Sequence, residues 1–369
     1  MFQKLLFTLL IMHSLVGCIK EPTSEMISDE DNFDRKSMLT NLADNYIIPG
    51  YATYNVAIDE LESNWISFKD NPDLTHLDNL KSAFNNALRT WQSISFLEFG
   101  PASSVALRAQ SNIYPINVTL INDNISNGIT NVGSVANYTA KGFQAVDFLI
   151  FSEPTSANEV SYLSQTDVIN YMDALILDLK VNANYVANQW TSYRISFIDN
   201  NISNAVGSAV SEMSNTIIKH YETYIRKGKV GLPLGVFNGF SQLPLPTHIE
   251  ARYSQANLQY AIESVEYLRL FLNGESYDGT KDGLGLLDYS NYVNATVNGS
   301  PLSEEIYNQM GSIITYSENV VGSWETEVTD NTASHMNMYQ EYQKLVPLLK
   351  VDLTSAIGVT IDYQDNDGD

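Results

Sequence analysis

Between Lys141 and Phe151 the chain sets two polar side chains, Gln144 and Asp147, into a run that is otherwise nearly all apolar. Three residues apart, they fall on one face of a helix turning once every 3.6 residues or so. Phe143, Val146, Phe148, Leu149, Ile150 and Phe151 leave little room for a watery side, so this helix is expected to be buried most of the way round. A carboxylate in such a place is costly unless something offsets its charge. Whatever the fold, it has to bring a cation, a metal ion or several hydrogen-bond donors to Asp147.

The flanking sequence supplies helices to bury it against. Met38, Leu42 and Tyr46, then Tyr54, Ile58, Leu61 and Trp65, recur at helical spacing, with Pro49-Gly50 marking a kink or a break. Asn71-Pro72-Asp73 is a turn, after which Leu77, Leu80, Phe84, Leu88, Trp91 and Ile94 form the stripe of a second helix. Later periodic stretches predict helices over 168–190, 202–226, 257–272, 301–321 and 332–356, with Pro347 bending the last. Segment 228–250 holds four Gly and three Pro and reads as a long connecting loop. Strand signals are confined to pieces such as Val359-Thr360-Ile361. The class is all-α, with helices of similar number and length before and after the middle. This predicts two helical bundles, 33–195 and 196–360, followed by an acidic tail, 361–369, expected to be disordered.

The ends of the chain bear on where it works. Lys4 followed by an apolar run from Leu5 to Leu15 has the form of a signal peptide, residues 1–17, too short to span a bilayer. Leu15-Val16-Gly17-Cys18 matches a bacterial lipobox, so Cys18 is the expected lipidation site and 18–32 a polar spacer between lipid and fold. Cys18 is the only cysteine, which excludes an internal disulfide and a thiol mechanism. With 43 acidic against 20 basic residues, net −23, the chain repels nucleic acid and anionic lipid surfaces and attracts cations diffusely. Ile19 after Cys18 favours the outer membrane, on either face.

Three stretches, taken in order, resemble the imelysin-like family of bacterial envelope proteins. Gly142, Gln144 and Asp147 stand where its G-x-H-x-x-E signature has Gly, His and Glu. Arg89-Thr90-Trp91 followed by Glu98-Phe99-Gly100-Pro101 is similar to the segment that precedes the signature, and Leu348 to Val359 to the closing one. The resemblance spans roughly residues 30 to 363. It implies two related bundles packed face to face, as a duplication would produce, and an iron-uptake setting with other envelope proteins as partners. For some members it also implies peptidase activity. The family's His and Glu are read as metal ligands, but here the pair is altered. Gln144 offers a neutral amide that neither titrates nor ligates strongly. Asp147 keeps the charge, about 1.5 Å nearer the backbone. A site for Fe is thereby weakened, one for Ca through oxygen ligands remains open, and a buried hydrogen-bond network is the alternative to both.

The matching segments add further candidates. Arg89 is a candidate cation for Asp147, with Trp91 beside it, and Glu98 sits in an apolar setting. His248 and Glu250, which come after the Gly/Pro loop, are candidates to line a cleft. Hydrolytic chemistry finds little support: no H-E-x-x-H, H-x-x-E or G-x-S-x-G occurs. The expected function is an imelysin-like, lipid-anchored binding component in iron or other metal acquisition. The alternatives are a member that binds a partner protein or a non-metal ligand, and a metallopeptidase.

Overall fold

A computed structural model describes residues 32–199 and 203–364. The signal peptide, Cys18, nearly all of the spacer and the last five residues of the acidic tail lie outside this range. The described residues from Phe33 onward pack as a single unit. Among the described residues the only strands are Thr296–Val297 and Ser300–Pro301, a two-residue antiparallel hairpin. Val359-Thr360-Ile361, a strand signal in the sequence, is irregular in the fold.

The first bundle is built on the hairpin of helices Ile48–Asp70 and Leu74–Ile94. Its turn is set by Asp73, whose carboxylate caps the second helix by accepting from the His76 N–H. The hairpin packs along Thr166–Asp199, a 34-residue helix that runs through the expected 195/196 boundary. Buried Tyr51, Tyr54, Ile58, Leu61, Trp65 and Phe68 form the apolar face of the Ile48–Asp70 helix. Helices Gln259–Leu272, Leu302–Glu318 and Thr332–Pro347 build the second bundle, and Gln259–Leu272 meets Leu74–Ile94 where the two bundles join.

The expected breaks at proline take a particular form. Ahead of Pro49 the chain makes π-helical turns, Leu42–Ile47, and after Pro347 it does so again, Leu348–Leu353. A proline cannot give the i→i−4 bond, and slipping to a wider turn keeps neighbouring N–H groups bonded without ending the helix. The long loop begins later than predicted. Gly228 and Gly231 belong to a third π-helical stretch, Tyr221–Gly231, and the irregular chain runs from 232 to 258. The start of the tail is not loose either: the Asp362 N–H donates to Asn215 Oδ1, and the Tyr363 hydroxyl to Glu222 Oε2.

Candidate functional site

The signature helix, Gly142–Phe151, is buried from Gly142 to Ile150. Its start depends on glycine. Gly142 has φ +70°, and a Cβ there would lie 2.3 Å from the Ser111 carbonyl oxygen. Lys141, just before it, is fully buried and pairs with Asp178 at 2.5 Å while donating to Gln110 Oε1 at 2.6 Å.

Gln144 and Asp147 do share one face, and both are spent on the protein. Gln144 Oε1 accepts from the Ala251 N–H at 2.7 Å, and its amide nitrogen donates to Asn112 Oδ1 at 2.8 Å. Asp147, with no exposed surface, accepts from the N–H of Tyr253 at 2.8 Å and of Ser254 at 3.1 Å, one to each oxygen. Of the three kinds of partner the sequence called for, donors are what the fold delivers, from a turn in which Ala251 takes φ +53°. Burial pushes the Asp147 carboxyl up to about 6, against the pull of these donors and with the Glu250 charge adding to the rise.

Behind this pair lies a buried ion pair that the sequence did not reveal. Lys229 Nζ contacts Glu250 Oε2 and donates to Gln92 Oε1 at 2.9 Å. Glu250 Oε1 accepts from Asn112 at 2.6 Å and from Gln92 at 3.1 Å, and the Ser264 hydroxyl reaches Gln92 Oε1 at 3.0 Å. Asn112 thus links Gln144 to Glu250, and one connected network runs through the interior. Burial pulls the Lys229 ammonium down while Glu250 holds it up. The Lys229 carbonyl accepts from the Trp324 indole at 3.1 Å. Glu250 is therefore an interior residue, not a lining of a cleft.

The other candidates separate. Arg89 is not the partner of Asp147: it pairs with Glu263 at 2.6 Å, its own side chain mostly in water. Trp91 is a core residue packed against Tyr54 and Phe143. Glu98 and His248, 150 positions apart in sequence, come together in the lining of a cleft of about 360 Å³. Arg108, Tyr114, Tyr224 and Lys227 line it as well. Glu98 receives the backbone N–H of Arg108 at 3.0 Å, and burial raises its carboxyl. Thr223, Tyr224, Lys227 and Gly228 reach the cleft from the π-helical stretch, where wider turns bring residues four and five apart onto one face. Sequence reading missed Arg108 and Tyr114, which belong to an irregular region without periodicity, and could have noticed only that Lys227 and Lys229 flank a glycine.

Metal ligation fits these residues poorly. An N–H aimed at each Asp147 oxygen places partial positive charge where a cation would sit, and Gln144 has both polar ends occupied. Among the described residues no group of three or more His, Cys, Asp or Glu is arranged to hold an ion. Nucleophilic chemistry fits no better. Ser95 Oγ lies 3.3 Å from His220 Nε2, but His220 Nδ1 has no partner, so the acid that would orient a catalytic imidazole is missing.

The family model described as Peptidase_M75: Imelysin matches residues 47–349. Among solved structures the chain is similar to a putative iron-regulated protein A precursor from Parabacteroides distasonis, at 14% identity and a TM-score of 0.71. That match covers 88% of this chain and 95% of the other. It is also similar to an imelysin-like protein from Psychrobacter arcticum, at 15% identity and a TM-score of 0.68, over 89% and 97% of the two chains. At such identities the likeness is one of fold. No curated protein sequence matches.

Proposed function

Because the chain belongs to the imelysin family, we propose that it is a non-catalytic binding protein of the cell envelope, tethered through lipid on Cys18 and serving iron acquisition alongside other envelope proteins. In this reading the altered signature is a brace and the ligand enters the neighbouring cleft. The observation that carries it is the internal use of Gln144 and Asp147: Gln144 Oε1 and both Asp147 oxygens accept from N–H groups of the 251–254 turn, and Gln144 Nε2 donates to Asn112. The cleft beside the brace is within the size range of small-molecule sites, about 300–1,000 Å³. The iron setting is supported by the family and by the words iron-regulated in the description of one structural neighbour. Outer-membrane placement is supported by the lipobox and by Ile19 after it.

Calorimetric titration of the purified protein with Fe(II), Fe(III) and Ca²⁺ tests this. The expected result is no saturable site tighter than about millimolar, the weak end of protein calcium sites. Stoichiometric metal binding that disappears in Asp147→Asn would overturn it.

A further inference from the structure

The cleft has a polarity opposite to that of the molecule around it. In a chain of net charge −23, its lining carries Arg108, Lys227 and His248 against one acid, Glu98. Glu98 already accepts the Arg108 backbone N–H with both oxygens, and its raised carboxyl gives up its charge more readily than an exposed one. The remaining wall is largely apolar: Ile113, Tyr114, Tyr224 and Leu232 offer aliphatic and aromatic surface.

At its inner end the cleft adjoins a recess of about 20 Å³, sharing Arg108, Asn112, Tyr114 and Tyr224 with it. That volume is enough for about one water-sized oxygen atom. Two of the residues that line the recess each bury a polar atom without a hydrogen-bond partner, Arg108 Nε and His220 Nδ1. His220 is 3% exposed, and burial together with the charges of Arg108 and Lys229 keeps its imidazole neutral. With the Ser95 hydroxyl turned to Nε2 and not to the Gln92 carbonyl, each 3.3 Å away, the proton sits on Nδ1 and can be donated to a ligand oxygen. Arg108 is itself fixed: Nη2 donates to the Ser95 carbonyl at 2.9 Å, and the guanidinium lies 4.1 Å from the Tyr224 ring centroid. Buried donors left unmatched are costly, and a ligand that supplies an acceptor is favoured by as much.

We infer that this cleft binds a small organic carboxylate with an apolar, preferably aromatic, body. One carboxylate oxygen enters the recess between Arg108 Nε and His220 Nδ1, and the body lies between Tyr114 and Tyr224. The inference deepens the proposed binding role and rests on it.

The test uses 1-naphthoate as probe and 1-naphthalenemethanol as its neutral counterpart, with the full-length protein in detergent, read by calorimetry. Naphthoate is expected to bind at least about tenfold more tightly than the alcohol, a difference of about 1.4 kcal/mol, since only the carboxylate makes charge-assisted hydrogen bonds in the recess. Arg108→Gln is expected to erase that preference, while Arg89→Gln, at the distant Glu263 pair, leaves it intact. Should Arg108→Gln fail to fold, the ratio of the two probes on the unaltered protein still decides. Equal affinity for naphthoate and the alcohol overturns the carboxylate assignment and leaves a binding cleft standing. No binding of either probe overturns it too. Tight Fe(III) binding lost in Asp147→Asn would instead bring down the underlying reading, whatever naphthoate does.

Discussion

At the scale of residues, Asp147 shows two opposing effects in one group. Desolvation raises its carboxyl to about 6, while two backbone N–H groups and the Ser254 hydroxyl favour the charged form without prevailing. In the unfolded chain the same group titrates near 3.8. The folded state therefore holds the proton more tightly. The stability Asp147 contributes is fully present below pH 3.8 and is lost as pH rises through about 6. Two pH units of difference correspond to about 2–3 kcal/mol at about 1.4 kcal/mol per unit. Carboxyl ¹³C shifts should give Asp147 a midpoint near 6, and urea unfolding should show the protein gaining on Asp147→Asn between pH 7 and pH 4. A midpoint at the ordinary aspartate value would show that the turn's donors fully offset burial. From sequence the need for a partner was legible, because an acid sat in an apolar helix. Which partner was not, because Tyr253 and Ser254 lie more than a hundred positions away and act through backbone groups that every non-proline residue carries.

Helical interiors were the most legible elements. The stripes through Leu77, Leu88 and Trp91, or through Val168 and Trp190, are burial patterns, and each is buried in the fold. Element ends were less so. A π-helical stretch such as Tyr221–Gly231 shifts the residues that face inward by about one place, and the rule of 3.6 then misplaces every later position of the helix. That shift is what presents Tyr224 and Lys227 to the cleft instead of ending the helix near Gly228. The signature helix depends equally on its first residue. Gly142→Ala would put a Cβ at φ +70° against the Ser111 carbonyl. It is expected to lower the unfolding free energy by more than about 1 kcal/mol, the scale of alanine at a position that glycine alone fits. Urea denaturation measures this; Gly311→Ala, with open space around its Cβ and ordinary helical backbone, is the control and should be neutral or stabilising. If both substitutions behave alike, backbone geometry at 142 does not fix the helix start.

For the molecule as a whole, charge and core can be weighed separately. The two bundles meet at helices Leu74–Ile94 and Gln259–Leu272, where the Arg89–Glu263 pair and the Ser264–Gln92 hydrogen bond cross the join. The net charge of −23 opposes compaction everywhere at once. Shortening the screening length from about 30 Å at 0.01 M salt to about 8 Å at 0.15 M should therefore raise the melting temperature. Calcium at matched ionic strength should add nothing beyond screening. A fall in melting temperature with salt would mean that attractive pairs such as Arg194–Asp44 outweigh the repulsion. The all-α, two-bundle plan was legible from the abundance of helical stripes on either side of the middle. The join between Leu74–Ile94 and Gln259–Leu272 was not, since no pattern in either helix announces its mate.

The clasp between Asp147 and the 253–254 turn is made with main-chain hydrogens. At 253 such a lock is indifferent to the letter written there, whereas at 254 the serine hydroxyl adds its own pull toward the charged carboxylate. Almost any residue can stand at 253 or 254 with the bond intact, and proline alone is barred. The main-chain part of the clasp can therefore outlast substitutions that change every side chain around it.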